Sequence, residues 1–305
     1  MGTRQSALAL TQTNLVIENL KALCRERGWE IEFVIEKIVT KGDRIVDVTL
    51  SKVGGKGLFV KEIEQALLER KIDIAVHSMK DVPSELPEGL VIGAVPKRAD
   101  PRDCLISRDG RKLDELPSGA RIGTSSLRRS CQLKAHRGDL ELLPVRGNID
   151  TRLKKLESEN FDAIVLAAAG LVRIGWTDRI SEYLDPAVCL PAVGQGALGI
   201  ECRAEDAELM ELIALIDDVE TRLSVEAERA FLGRLNGGCQ VPIGAYAERG
   251  KDNGALRLTG MVGTPDGSLL LKETMTGGNP AELGIKLADA LLARGAESIL
   301  AKAGS

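Results

Sequence analysis

Apolar residues recur along this chain in two alternating rhythms, short β-branched runs and longer stretches with a period near 3.6. Residues 7–24 carry Leu8, Leu15 and Leu23 in a helical pattern, and 31–39 reads as a strand. Residues 59–70 put Phe59, Ile63, Ala66 and Leu67 on one face of an amphipathic helix. A short buried strand at 72–76 follows, Pro83 and Pro87 break the chain, and 90–94 is another strand. The rhythm restarts after residue 100, with a strand end at 121–123, a helix at 126–137 and a strand at 141–145. A helix at 150–159 and a buried strand at 163–167 complete it. Alternation of this kind predicts parallel or mixed sheets covered by helices. A third unit is predicted from a helix at 221–235, a turn at Asn236-Gly237-Gly238, strands near 243–247 and 256–262, a turn at Pro265-Asp266-Gly267 and a last helix at 281–293. The expected class is therefore α/β, in three units.

Composition narrows the function. The chain has 305 residues, 44% hydrophobic and 28% charged, the balance of an ordinary globular protein. Only 3% of residues are aromatic and the net charge is −4, which argues against stacking on single-stranded nucleic acid or a broadly basic nucleic-acid surface. Charge is uneven, however. Residues 121–155 hold nine Lys/Arg and three acids, a local +6 that leaves −10 elsewhere. A basic cluster on an acidic protein suits a small polyanion. Residues 201–228, with ten acids and two bases, read as a solvated acidic helix. Six cysteines without a CxxC and two histidines give no zinc spacing. No basic-then-apolar leader opens the chain, and the apolar run 163–172 is about half a membrane span. A cytoplasmic protein with reduced thiols, no metal, no nucleic-acid partner and no membrane partner is the expectation.

Several motifs carry candidate chemistry. GQGALG (Gly194, Gly196, Gly199) fits a dinucleotide fingerprint, but Pro191 interrupts the preceding run and 200–202 continues as a strand. A tight backbone crossing is the better reading. KVGGKG at 52–57 fails as a phosphate loop, because Leu50 and Gly57 stand where Gly and Ser/Thr are required. It remains a glycine hinge with Lys52 and Lys56 ahead of a helix start near Phe59. In GTSSLRRS, Thr124, Ser125 and Ser126 are N-cap types, and Arg128 and Arg129 follow in the first helical turns. Cations there oppose the helix dipole unless an anion compensates. Arg146 and Arg152 add planar forks for carboxylates. HSMKDVP places Lys80 and Asp81 just past a buried strand, where α/β sheets bind ligands. NGGCQVP sets Cys239 in a loop after two glycines. A Cys–His nucleophile pair would need His77 or His136 beside it.

Together these segments resemble the porphobilinogen deaminase family, also called hydroxymethylbilane synthases. The likeness runs through GTRQSALAL (2–10), KVGGKGLFVKE (52–62), DIAVHSMKDVP (73–83), DPRD (100–103) and IGTSSLRR (122–129). It continues through RGNIDTRL (146–153), LAAAGL (166–171), LPAVGQGALGIECR (190–203) and GGCQVPIGAY (237–246). The resemblance implies two type II periplasmic-binding-protein-like domains with mixed sheets and a cleft, 1–96 plus 197–215 and 97–196. A smaller α/β domain with an antiparallel sheet, 216–305, would follow. It implies head-to-tail joining of four porphobilinogen molecules with release of ammonia, on a dipyrromethane cofactor held by a thioether from Cys239. Asp81 matches the catalytic carboxylate. Lys80, Ser78, Thr124, Ser126, Arg128, Arg129, Arg146 and Gly170 match cofactor contacts. Arg4, Ser6, Lys52, Lys56, Phe59, Arg146, Arg152, Arg173 and Gln195 match substrate contacts or the loop over the cleft. A monomer is implied. The family has a short strand ahead of the GTRQS motif, whereas this sequence starts at Met1-Gly2, so a trimmed or a misassigned start is expected, which bears on the first strand and on Arg4 and Ser6. The rival readings are a non-catalytic anion-binding protein of the same two-lobed fold and a dinucleotide-dependent enzyme built on GQGALG.

Overall fold

The computed structural model describes residues 1–44, 57–237, 241–250 and 254–303. Lys52, Lys56 and Cys239 lie outside the described residues. Chain contacts divide the molecule into two compact units, one from the described residues of 1–99 and 197–223, the other from those of 100–196 and 224–303.

The first unit is built on a five-stranded sheet of β1 (Gly2–Arg4), β2 (Glu36–Ile38), β3 (Ile74–Ser78), β4 (Leu90–Ala94) and β10 (Leu198–Arg203), ordered β2-β1-β3-β10-β4. β1 runs parallel to β2 and β3, while β10 runs antiparallel to β3 and β4. The period-2 alternation of β3 sorts its side chains onto two cores. Ile74 and Val76 meet Val16, Ile17 and Leu20 of the helix Ala7–Glu26. Ala75 meets Ile63, Ala66 and Leu67 of the helix Lys61–Leu68. Each fully buried Leu or Ile contributes on the order of 2 kcal/mol. The GTRQS motif itself supplies the first strand, Gly2–Arg4, in the middle of the sheet. The strand expected at 31–39 shrinks to Glu36–Ile38, because among the described residues its only partner is this three-residue β1. Phe33 and Ile35 pack on the core without joining the ladder.

The second unit repeats the plan. Its sheet comprises β5 (Asp103–Ser107), β6 (Arg121–Gly123), β7 (Glu141–Leu143), β8 (Ala163–Ala167) and β9 (Glu182–Tyr183), ordered β7-β6-β8-β5-β9. Here too four strands run one way and the incoming strand, β5, is antiparallel to its neighbours. Both sheets are mixed, as the sequence pattern predicts. The same unit carries a three-stranded antiparallel sheet of β11 (Ile243–Arg249), β12 (Leu256–Gly263) and β13 (Leu270–Gly277). The helix Pro280–Ala293 covers it and packs on the helix Val219–Arg234 at Gly284, where a Cβ would stand 2.4 Å from the Ala227 carbonyl oxygen.

The acidic stretch 201–228 is not one solvated helix. It contains the end of β10, the helix Ala207–Ala214 and most of the helix Val219–Arg234. Asp206 and Asp218 start the two helices by accepting from Leu209 N and Thr221 N. Glu201 and Glu228 are buried. Four of the ten acids thus serve as caps or buried acceptors, which composition could not distinguish from surface charge.

Candidate functional site

In the second unit, β6 ends at Gly123 and the chain turns through Thr124-Ser125-Ser126 into the helix Leu127–His136. Ser126 is the N-cap and accepts from Arg129 N. Ser125 Oγ donates to the Val145 carbonyl at 2.8 Å, and Thr124 is buried with its Oγ1 accepting from Ser126 N. Arg128 and Arg129 do sit where the dipole penalises cations. The compensating anion is the chain's own Asp103, fully buried at the start of β5. Arg128 Nη1 donates to Asp103 Oδ2 at 2.7 Å and to the Leu190 carbonyl at 2.6 Å. Arg129 donates to Asp103 Oδ1 through Nε and Nη2, at 3.0 and 2.7 Å, and to the Val165 carbonyl through Nη1. Burial alone would push the Asp103 carboxyl up. The two guanidiniums outweigh it and hold it far below the usual carboxylate range.

The other predicted arginines of this unit have different surroundings. Arg152 is half-buried in the first turn of the helix Ile149–Ser158 and donates from Nε to the Gly147 carbonyl. Burial, then Arg129 and Arg146, push its guanidinium down to about 10. Arg173, at the end of the helix Ala168–Arg173, donates from Nη2 to the Gly196 carbonyl, and burial pushes it down to about 10 as well. Neither makes an ion pair with a carboxylate among the described residues. Arg146 is half-buried, and Gly170 is buried in the helix that Arg173 ends. Gln195 is buried in the crossing, donating from Nε2 to Asp103 Oδ1 at 2.9 Å and to the Pro101 carbonyl at 2.7 Å. Gly194 and Gly196 adopt φ of 69° and 87°, and the chain enters β10 rather than a helix. A Rossmann fingerprint needs a helix N-terminus there, so GQGALG is a crossing and not a dinucleotide site.

In the first unit, β3 ends at Ser78 and a 3₁₀ turn, Met79–Asp81, follows. Met79 N donates to the Ala197 carbonyl at 3.0 Å, which fixes the turn to β10. Ser78 Oγ and the Gln12 side-chain amide exchange hydrogen bonds at 3.1 and 3.2 Å. Lys80 and Asp81 are half-buried, and the Asp81 carboxylate makes no hydrogen bond or ion pair among the described residues. Ser6 caps the helix Ala7–Glu26 by accepting from Ala9 N. Arg4, at the end of β1, is paired with Asp43 and lies 4.2 Å from the Phe59 ring centroid. Both histidines are committed to carboxylates, His77 to Glu201 at 2.8 Å and His136 to Asp114 at 2.9 Å.

Two acids escaped the sequence reading. Asp103 was visible only as the last residue of DPRD. Its position directly ahead of the apolar run Cys104-Leu105-Ile106 is the signal, since an acid entering a buried strand needs a cation. Asp43 gave no signal. Among the described residues no His/Cys/Asp/Glu group could hold a metal ion, and no helix is long and apolar enough to cross a membrane.

Known proteins resemble the chain throughout. Residues 1–211 match the family model described as porphobilinogen deaminase, dipyromethane cofactor binding domain, and residues 222–293 match the porphobilinogen deaminase C-terminal domain. A porphobilinogen deaminase of Brevibacillus brevis is 61% identical over 302 residues, 99% of this chain and 96% of that protein. One of Paenibacillus macerans is 60% identical over 97% of each chain, and one of Bacillus cereus is 59% identical over 98% and 96%. With its two mixed sheets, its antiparallel third sheet and its arginine-lined strand ends, the chain belongs to the porphobilinogen deaminase family.

Proposed function

We propose that Asp81 is the catalytic carboxylate of this tetrapyrrole-biosynthesis enzyme and that Arg146, Arg152 and Arg173 hold the carboxylates of its pyrroles. The observation that carries the reading is the half-buried Asp81 carboxylate, without a partner among the described residues, one turn past the end of β3. When porphobilinogen loses ammonia, the C–N bond breaks with its electron pair and leaves a cation delocalised over the pyrrole. A fixed carboxylate stabilises that charge without reorganisation. The pyrrole carbon that forms the new C–C bond must then shed its proton, which Asp81 can accept and pass to solvent. Each substrate brings acetate and propionate groups. Arg152 and Arg173, lowered by burial and without a carboxylate partner among the described residues, are still cationic at neutral pH, and such anions would offset the cost of burying their charge.

The residues also fit the family's dipyrromethane: a buried Thr124 hydroxyl, an N-cap Ser126, and the Arg152 and Arg173 guanidiniums, which pair with no carboxylate among the described residues. In this reading Lys80, Ser78, Thr124, Ser126, Arg128, Arg129, Arg146 and Gly170 surround it, with Cys239 as its thioether anchor. Bound, it supplies the pyrrole terminus from which the product grows. Arg4, Ser6, Lys52, Lys56, Phe59 and Gln195 serve the incoming substrate. Domain limits at 1–96 plus 197–215, 97–196 and 216–305, a cytoplasmic location and a monomeric state complete the proposal. The five described cysteines, all free and buried, support a reducing compartment. The non-catalytic anion-binding reading is not favoured, since it leaves the deaminase family match unexplained.

The test is the intact mass of the purified chain beside Cys239→Ser. An excess of two linked pyrroles that disappears in the variant supports the tether. An identical mass in both, unchanged after incubation with porphobilinogen, removes it. Asp81→Asn is expected to keep fold and cofactor while losing nearly all turnover, and near-normal turnover would remove the catalytic role.

A further inference from the structure

Arg4 is held by more than its position on β1. Its guanidinium is gripped side-on by Asp43, which accepts from Nε at 3.1 Å and from Nη2. Asp43 Oδ2 also accepts from Thr40 N at 3.2 Å and Thr40 Oγ1 at 2.7 Å, and Thr40 Oγ1 accepts from Asp43 N. The Phe59 ring covers the guanidinium at 4.2 Å. Phe59 is seated in turn by Gly42, where a Cβ would meet its ring at 2.3 Å, and by the hydrogen bond from Gly42 N to the Leu58 carbonyl at 2.8 Å. The Asp43 side chain is 9% exposed and that of Arg4 25% exposed. Among the described residues Arg4 Nη1 has no hydrogen-bond acceptor.

From this geometry we infer that Asp43 is a positioning residue, which presets Arg4 so that its Nη1 edge meets a substrate carboxylate. The inference rests on the reading that Arg4 contacts porphobilinogen. A guanidinium offers two bidentate edges, Nε with Nη2 and Nη1 with Nη2. Asp43 occupies the first and leaves the second. Arginine loses much rotamer freedom when it binds, and a side chain ordered beforehand loses less on meeting its ligand. Asp43 is itself locked: burial would raise its carboxyl, but hydrogen bonds from Arg4 and Thr40 hold it below the usual range. An acid so tied is a mount for the arginine rather than a competitor that substrate must displace.

The experiment is steady-state kinetics of the holoenzyme on porphobilinogen. Asp43→Asn keeps the size and a carbonyl for Thr40 N but removes the charge. It is expected to raise KM about tenfold with kcat within about twofold, the pattern of lost binding rather than lost chemistry. Arg4→Ala is expected to raise KM further, and adding Asp43→Asn to it should change nothing more. A fall in KM for Asp43→Asn would show competition and overturn the inference. So would an unchanged KM while Arg4→Ala raises it. An unchanged KM in Arg4→Ala would instead overturn the underlying assignment of Arg4. Should Asp43→Asn melt too low to assay, Thr40→Val decides. It removes the two hydrogen bonds of the Thr40 hydroxyl with Asp43, one donated to Oδ2 and one accepted from N, and leaves Arg4 intact, with KM expected up about threefold, and no rise there overturns the inference.

Discussion

The two five-stranded sheets share an order of strands and a device, a buried acid on the antiparallel incoming strand, but they neutralise that acid differently. On β10 the acid is Glu201, 1% exposed, and its partner is the imidazole of His77 on β3. A second carboxyl, Glu64, lies over it from the helix Lys61–Leu68 and is raised by burial and by the Glu201 charge. On β5 the acid is Asp103, and its partners are two guanidiniums. At the first centre burial and the Glu201 charge push the Glu64 carboxyl up, whereas at the second two guanidiniums hold the Asp103 carboxyl down. Equivalent places in a repeated topology therefore acquire opposite responses to pH, because the sheet supplies burial and the side chains supply the proton chemistry.

The largest contrast is expected on breaking each centre. Asp103→Ala strands two buried guanidiniums and should cost about 3–5 kcal/mol, read from the denaturant midpoint. Glu201→Gln removes the charge but keeps a hydrogen-bonding amide beside His77, and should cost about 1 kcal/mol. Equal losses would break the comparison. Arg173→Met and Arg152→Met remove cations that burial already disfavours. They should leave the cofactor-free chain as stable or about 1 kcal/mol more stable while impairing cofactor loading, measured by intact mass.

The pH dependence sharpens the same contrast. Asp103 is depressed in the folded state, so its contribution is complete above the ordinary carboxylate value near about 4 and is lost only as pH falls below it. Glu64 is raised, so the folded chain keeps a proton that the unfolded chain has released, and stability falls as pH rises through its folded value. Glu64→Gln should therefore flatten that slope and gain on the order of 1 kcal/mol at pH 8, seen as a higher melting temperature. No change in the slope would mean that Glu64 ionises freely. The smallest effect concerns the thiols. Burial pushes Cys104 and Cys131 up to about 12 and Cys202 to about 11, so these should resist alkylation in the folded protein at pH 8.

Much of this was legible in the sequence because it is local. The strand β4 and the buried strand β8 stand where their apolar patterns place them. Ser6 and Ser126 cap the helices they precede, since capping uses a side chain and amides three residues apart. Less legible was β2, whose length is set by its partner rather than by its own residues. The acids of 201–228 were misread for a related reason: a carboxylate on a solvated helix and one capping a helix or sealed under a sheet have the same composition.

The sequence by itself determined the α/β rhythm, the helix starts and, through its long motifs, the family with its candidate site residues. It also predicted that Arg128 and Arg129 need an anion. Only the tertiary structure decided that this anion is Asp103, about a quarter of a hundred residues earlier along the chain. It likewise decided that Arg4 is mounted on Asp43, while Arg152 and Arg173 pair with no acid among the described residues. The physical reason is that periodicity and capping act between residues a few positions apart. The partner of a buried charge is whatever the strand order brings beside it, and that order is fixed by the packing of the whole unit.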